Sequence, residues 1–347
     1  MLVDVFQVSA HTIIERKREL LMECRVLAGL GDSVSPMDVV AEASLPACIV
    51  TLDLCRGLGL SPEEADACAV RNPGETLNEG DLIAQCEGAL TRLVRSPVEG
   101  ILVEVRQGNV VIATDAIHRQ ALAGMTGVVV DVVPATGILL RAEGSLVQGV
   151  WGTGGVAGGK LHVVEVDDGQ NWIDEALEPG EILAVPAVMD DAAFDQIIQT
   201  DPAGLICGTL SGGLLSRAVQ WGKPMFVLQG FETQPVDPVA WELLTALEGS
   251  EAGVNAQPTD PLLGRRPEIV IPNLEGTSER ALGFRAAMKV GQRARVLSGP
   301  AIGRTGQVDQ LKPEGHFESS LPCPAVVVHL KEGDRLTLPA QNVAILG

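Results

Sequence analysis

Apolar positions along this 347-residue chain recur with two periods, and the shorter one dominates. Runs of about four to eight residues rich in Val, Ile and Leu, bounded by Gly, Pro, Asn or Asp, have the pattern of strands. Near the front, Gly31–Ala43 (GDSVSPMDVVAEA) aligns without a gap on Gly74–Cys86 (GETLNEGDLIAQC). Each copy reads as a glycine turn, an acidic residue, one apolar anchor, a polar turn, then Asp and a short apolar strand. Ser96-Pro97 leads into a further strand, Gly100–Val105, and Ser44-Leu45-Pro46-Ala47-Cys48 is expected to turn after the first copy. Between the copies, Ser61-Pro62-Glu63-Glu64 predicts a short helix, with Ser as N-cap, Pro at the first helical position and Glu64 closing a capping box. From 119 to 170 the pattern is again strand-like, as in Gly127–Val133, Gly137–Arg141 and Lys160–Val166.

The period changes between residues 179 and 272. Glu181–Val185, Ala203–Cys207, Pro224–Leu228 and Glu268–Ile271 read as buried strands. Three helical patterns alternate with them: one from Asp190 with Phe194, Ile197 and Ile198 on one face, one with Leu214, Leu215, Ala218 and Val219, and one capped by Asp237-Pro238 with Val239, Leu243, Leu244 and Leu247. Such alternation implies a largely parallel sheet covered by helices. Ser250–Pro267 is polar, rich in Gly and Pro and without period, so an exposed loop is expected there. Asn273–Met288 reads as a link to a last region, where Val290–Val308, Ala325–Leu330, Arg335–Pro339 and Asn342–Leu346 supply short strands.

Three stretches carry family resemblances. The duplicated arms with Arg95–Val105 resemble the barrel-sandwich hybrid fold of lipoyl and biotinyl carrier domains. Those carriers hold the prosthetic group on a Lys at a hairpin tip, and no lysine occurs here between Lys17 and Lys160, so the resemblance implies structure without acylation. Thr209–Ala218 with Gly222-Lys223-Pro224 resembles the swivelling phosphohistidine domain of PEP-utilising enzymes. Arg217 stands where the relay His would be, and a guanidinium is a poor nucleophile. Its place at a helix start makes it a possible anion-binding residue, beside the plainer reading of an ion-paired Arg. Val290–Val308 is similar to the KOW motif of transcription elongation factors and ribosomal proteins, which implies a small SH3-like barrel over about the last 59 residues.

Within that last stretch Arg293 and Arg295 alternate with Ala294 and Val296, which puts both arginines on one strand face, expected to be the solvent face. Gly299, Gly303 and Gly306 permit positive backbone angles or close approach, and Arg304 sits among them. Arg293, Arg295, Gly299, Gly303, Arg304 and Gly306 are therefore the expected partner-binding residues.

Composition narrows the picture. Only 3% of residues are aromatic and none is Tyr, so the cores are built from Val, Leu, Ile and Ala. The formal charge of -20 argues against a whole-chain grip on DNA, RNA or an anionic membrane. The charge is uneven: Lys289–Gly347 has seven Lys and Arg against five Asp and Glu, a net of +2, which leaves -22 for the remainder. Weak, salt-sensitive RNA binding by the C-terminal stretch is the most that balance supports. Seven cysteines without close pairs or a C-x-x-C read as small buried residues of a reducing, cytoplasmic chain. No stretch has the length of a membrane span, and Met1-Leu2-Val3-Asp4 lacks the layout of a secretion signal.

Candidate chemistry is sparse. Gly152–Gly159 imitates a dinucleotide loop, but a strand rather than a helix is expected after it, so it reads as a glycine-rich loop or bulge. Cys207 ends a buried strand with no His or Lys nearby in sequence to activate it. Asp190 and Asp191 read as helix-start residues, and Asp167-Asp168-Gly169 as a turn. The five histidines are scattered, and no metal site, cofactor or catalytic group is expected. The expected fold is mixed β and α/β: a barrel-sandwich hybrid over 1–118, a β-rich segment plus an α/β domain over 119–272, a linker over 273–288 and an SH3-like barrel over 289–347. The expected function is a non-catalytic adaptor docking a protein or ribonucleoprotein partner. The alternatives are an RNA-binding transcription or translation factor, and an enzyme with an inter-domain site.

Overall fold

The computed structural model describes residues 1–87, 91–164, 177–231, 236–273, 279–317, 322–330 and 333–347. The chain is β-rich, with several sheets and a minority of helix. It divides into a larger unit, Met1–Glu19, Val26–Ala41 and Ala121–Gly347, and a smaller one, Leu20–Arg25 and Glu42–Gln120. Among the described residues no helix is long and apolar enough to cross a membrane.

The smaller unit packs helices α1 (Leu54–Leu58) and α2 (Pro62–Ala67) against strands Thr76–Leu77, Leu82–Cys86, Arg92–Arg95 and Gly100–Arg106. Its core is Leu54, Leu58, Leu77, Ile83, Leu102, Val110 and Ile112, all fully or almost fully buried. The Asp53 side chain accepts from Arg56 N at 2.9 Å to start α1, which stops at Gly59 with φ +69°. The capping box of α2 is complete: the Ser61 side chain accepts from the Glu64 backbone N–H and the Glu64 carboxylate accepts from Ser61 N at 3.1 Å, with a further bond from Ser61 Oγ to that carboxylate at 2.7 Å. The same hydroxyl and amide hold the Glu64 carboxyl below the usual carboxylate range. The expected turn at Ser44–Cys48 is absent: Val39–Asp53 is one continuous strand, and positions 44–49 on it are exposed. An exposed strand position tolerates Pro46 because no interior ladder needs its missing N–H.

In the larger unit, Val156–Val163, Ile182–Val188, Gly204–Leu210 and Met225–Phe231 run parallel and in sequence order. Helices α3 (Asp191–Thr200), α4 (Leu215–Trp221) and α5 (Pro238–Ala246) cover them. The two-residue period separates two cores. Ile182, Ala184, Ile206, Phe226 and Leu228 face Ala240 and Leu244 of α5. Leu183, Val185, Leu205, Cys207, Met225 and Val227 face Phe194 and Ile197 of α3 and Ala218 of α4. Antiparallel strands extend this sheet: Glu251–Asn255, Glu268–Pro272, Gly137–Gln148 and Gly127–Val133.

Glu251–Asn255 lies inside the stretch expected to be an exposed loop. It pairs with both Val156–Val163 and Glu268–Pro272, and Ala252 and Val254 are buried. A strand of small residues covered on both faces has no polar alternation, which is why its period was hidden. Gly253 is required there, since a Cβ would meet the Met125 backbone and the Pro36 ring at 3.0 Å each.

A second, seven-stranded sheet has the order Arg285–Ala287, Leu2–Phe6, Val343–Leu346, Arg293–Val296, Thr305–Gly315, Cys323–Leu330 and Arg335–Pro339. Leu2–Phe6 runs parallel to Val343–Leu346, with Val5 opposite Ile345 and Phe6 opposite Leu346. The first residues thus complete a sheet made mainly from the last ones, and Arg285–Ala287 of the expected linker joins its edge. Residues 274–278 of that linker lie outside the described residues.

The two arms adopt the same conformation, one in each unit. Ser35 N donates to Asp38 Oδ2 at 2.7 Å, and Asn78 N to Asp81 Oδ2 at 3.0 Å. Gly31 N donates to Val129 O at 2.9 Å and Val129 N returns to Asp32 O at 2.9 Å. In the other copy, Gly74 N donates to Leu102 O at 2.7 Å and Leu102 N returns to Glu75 O at 2.9 Å. The duplication therefore extends to the strands the arms cross, Gly127–Val133 and Gly100–Arg106, and the second pair lies in sequence between the members of the first.

Candidate functional site at the ends of the parallel strands

Polar side chains gather where the parallel strands end, the position at which open α/β sheets place their functional groups. Thr209 and Gln229, near the ends of Gly204–Leu210 and Met225–Phe231, are both buried. Asp237 caps α5 by accepting from Val239 N at 3.3 Å. This fully buried carboxylate also meets two cations of the second sheet, Arg293 Nη2 at 3.1 Å and Arg295 Nη2 at 3.8 Å. Gln229 Nε2 donates to Gly303 O at 2.9 Å, so the glycine loop sits directly over the strand ends.

Arg295 is only 2% exposed. Burial pushes its guanidinium down to about 10, Asp237 opposes that shift and Arg293 adds to it. Its Nε and Nη1 and the Gln229 Oε1 have no hydrogen-bond partner among the described residues. The Arg295 guanidinium also stands 5.6 Å from the Phe6 ring centre. Arg266 is sandwiched between Phe6 and Phe284, 4.0 Å from each ring, and pairs with Asp4 at 3.2 Å.

The expected partner-binding set divides here. Arg293 and Arg295 do not point to solvent: Ala294, Arg295 and Val296 are all buried and Arg293 is half-buried. Alternation places residues on opposite faces, and in this strand both faces are covered. Gly303, with φ +81°, is buried with its carbonyl engaged, and a Cβ on Gly306 would lie 2.3 Å from His329 O. Gly299, with φ +90°, remains exposed at the loop tip beside Pro300 and Ile302, and Arg304 reaches Asp334 at 3.5 Å.

The other candidates have structural environments. Arg217 pairs with Asp191 at 2.7 Å and with Asp195, lies 5.3 Å from the Phe194 ring, and ties α4 to α3. Those two carboxylates raise its pKa and occupy its guanidinium. Cys207 donates to Thr209 O, and burial pushes its thiol up, leaving it protonated. The Asp190 side chain accepts from Ala193 N at 2.8 Å as the cap of α3. The Gly152–Gly159 stretch joins two strands through Gly154 and Gly155 at φ +101° and +80°. Asp167-Asp168-Gly169 lies outside the described residues. Among the described residues, no three His, Cys, Asp or Glu side chains converge as a metal would require.

Sequence reasoning missed Gln229 and saw Asp237 only as a cap. The signal available was a polar residue ending the apolar run Met225–Leu228, where a ligand or a second layer must satisfy it. Compared with known protein families and with curated proteins, the chain matches none.

Proposed function

We propose that this protein is a non-catalytic adaptor that docks a protein or ribonucleoprotein partner through the exposed part of its C-terminal glycine loop. In this reading the arms belong to barrel-sandwich hybrid domains without an acceptor Lys. The parallel-sheet region is a swivelling-type domain without its relay His, and the last strands form a KOW-type SH3-like barrel. The supporting observation is that Asp237, Arg293, Arg295, Gln229 and Gly303 fill the strand-end position that a catalytic α/β domain leaves open to substrate. Gly299, Pro300 and Ile302 are the exposed positions that loop offers to a partner. RNA recognition is the weaker alternative, because two of its three expected guanidiniums are turned inward and base stacking normally adds aromatic side chains.

The test is capture of partners from native extract by the tagged full-length chain, with and without nuclease. Ile302→Asp should abolish specific capture while leaving the thermal unfolding profile unchanged, and nuclease should not release the partner. Tight, sequence-selective RNA binding by the full chain at physiological salt would instead make it an RNA-binding factor.

A further inference from the structure

The smaller unit brings together two thiols that are far apart in sequence. Cys68 is the C-cap of α2, and Cys86 ends the strand Leu82–Cys86. Gln85 N donates to Cys68 O at 2.9 Å and Val70 N to Ile83 O at 2.8 Å. Ala69 and Ala84 form an antiparallel bridge between them. These bonds zip the end of α2 onto the strand and set Cys68 beside the Gln85-Cys86 end of it. Both residues are half-buried and border the same apolar core.

The two sulfurs have different surroundings. Burial first, then the hydrogen bond to Cys86 and the nearby Glu64 charge, push the Cys68 thiol up, so it holds its proton. Cys86 stands opposite Arg92 in the register of the neighbouring strand, and the Arg92 guanidinium itself donates to Leu58 O. Two free thiols on segments held together by backbone bonds, one of them keeping its proton, are the arrangement of a dithiol that can close a disulfide.

We propose that Cys68 and Cys86 are a redox-active pair that exchanges with small-molecule disulfides, Cys86 attacking and Cys68 resolving. The Cys86 thiolate attacks one sulfur of the disulfide R–S–S–R. That S–S bond breaks, and one RS⁻ leaves and takes up a proton. Cys68 then gives its proton to solvent and attacks the Cys86 sulfur of the mixed disulfide, expelling the second RS⁻. Two protein thiols are oxidised to one disulfide, and one small disulfide is reduced to two thiols. The new bond closes a loop containing Gly74–Gln85, so oxidation clamps the second arm to α2. This site does not depend on the adaptor reading.

The full-length protein is equilibrated with glutathione at graded reduced-to-oxidised ratios, its free thiols are alkylated, and the digest is mapped by mass spectrometry. The expected product is a peptide pair linked through Cys68 and Cys86 that dithiothreitol separates. In Cys68→Ser, glutathione should remain on Cys86 at a level on the order of tenfold above wild type, because the resolving thiol is gone. Cys86→Ser should protect Cys68 from adduct formation. The exposed Cys48 serves as an internal control for simple accessibility. Wild-type protein that accumulates glutathione on Cys86 without a Cys68 link overturns the proposal. So does a Cys68 and Cys86 pair that stays fully alkylatable while Cys48 is oxidised.

Discussion

Replacing Asp237 with Asn removes the one carboxylate that pairs with Arg295 among the described residues, while keeping an oxygen for the helix cap. Burial pushes Arg295 down to about 10 even with Asp237 present. Holding that cation charged at neutral pH therefore already costs about 3 kcal/mol. Breaking a buried pair by removing one partner typically costs about 3–5 kcal/mol. Arg293, at 31% exposure, is rehydrated when Asp237 is neutralised, so the low end, about 3 kcal/mol, is expected. Arg295→Met should behave oppositely. It removes an ion with two nitrogens unsatisfied among the described residues, leaves the Asp237 and Arg293 pair, and should change stability by no more than about 1 kcal/mol. The double variant should recover most of the Asp237→Asn loss.

All four tryptophans lie beyond residue 150, in the sequence of the larger unit, so urea unfolding followed by Trp fluorescence reports that unit. Because the folded pKa of Arg295 is depressed, stability from this group rises only as pH climbs through about 10. Wild type and Arg295→Met should therefore differ by a constant amount between about pH 5 and 8. An Asp237→Asn loss below about 1 kcal/mol, or an Arg295→Met loss equal to it, would refute this account.

Glu268 is fully buried, and burial alone would raise its pKa, but Arg16 at 2.6 Å and Arg18 at 3.9 Å outweigh that and hold it below the usual carboxylate range. Its contribution is present above that range and lost as pH falls through the folded value, so the stability lead of wild type over Glu268→Gln should shrink below about pH 4 in acid-unfolding curves. Ser61→Ala should cost the smaller unit about 1 kcal/mol by circular dichroism melting, since it removes the N-cap oxygen of α2. A fragment spanning 42–120 should unfold cooperatively alone, and replacing 44–119 by a Gly-Ser linker should leave the Trp-reported transition in place; loss of that transition would show that the units are energetically inseparable. Intact mass of natively produced protein should show no lipoyl or biotinyl increment, because no Lys lies between Lys17 and Lys160.

What could be read from the chain was local. The caps at Asp190, Ser61 and Asp237 are short-range signals, and each makes the expected hydrogen bond. The strands Ile182–Val188, Gly204–Leu210 and Met225–Phe231 follow from continuous apolar runs. The polar strand end was less legible, since Gln229 and Gly303 meet across 74 residues and no local pattern encodes such a contact. Arg295 misled because a charged residue on an alternating strand normally marks water, and only the second layer explains its burial. Cys68 and Cys86 escaped for the same reason: spacing rules detect cysteines adjacent in sequence, while a helix end zipped to a later strand leaves no such mark.

The pairing of Leu2–Phe6 with Val343–Leu346 sets an order of events during synthesis. The strand Leu2–Phe6 leaves the ribosome long before Val343–Leu346, and closing a loop of that length must wait until those residues are translated. Until then Val3, Val5 and Phe6 are apolar side chains on a strand with an unpaired edge. The residues 42–120 meet their partners among near neighbours and are complete early. A chain stalled just short of Val343 therefore carries a sticky, incompletely paired Leu2–Phe6 strand that chaperones or proteases can recognise.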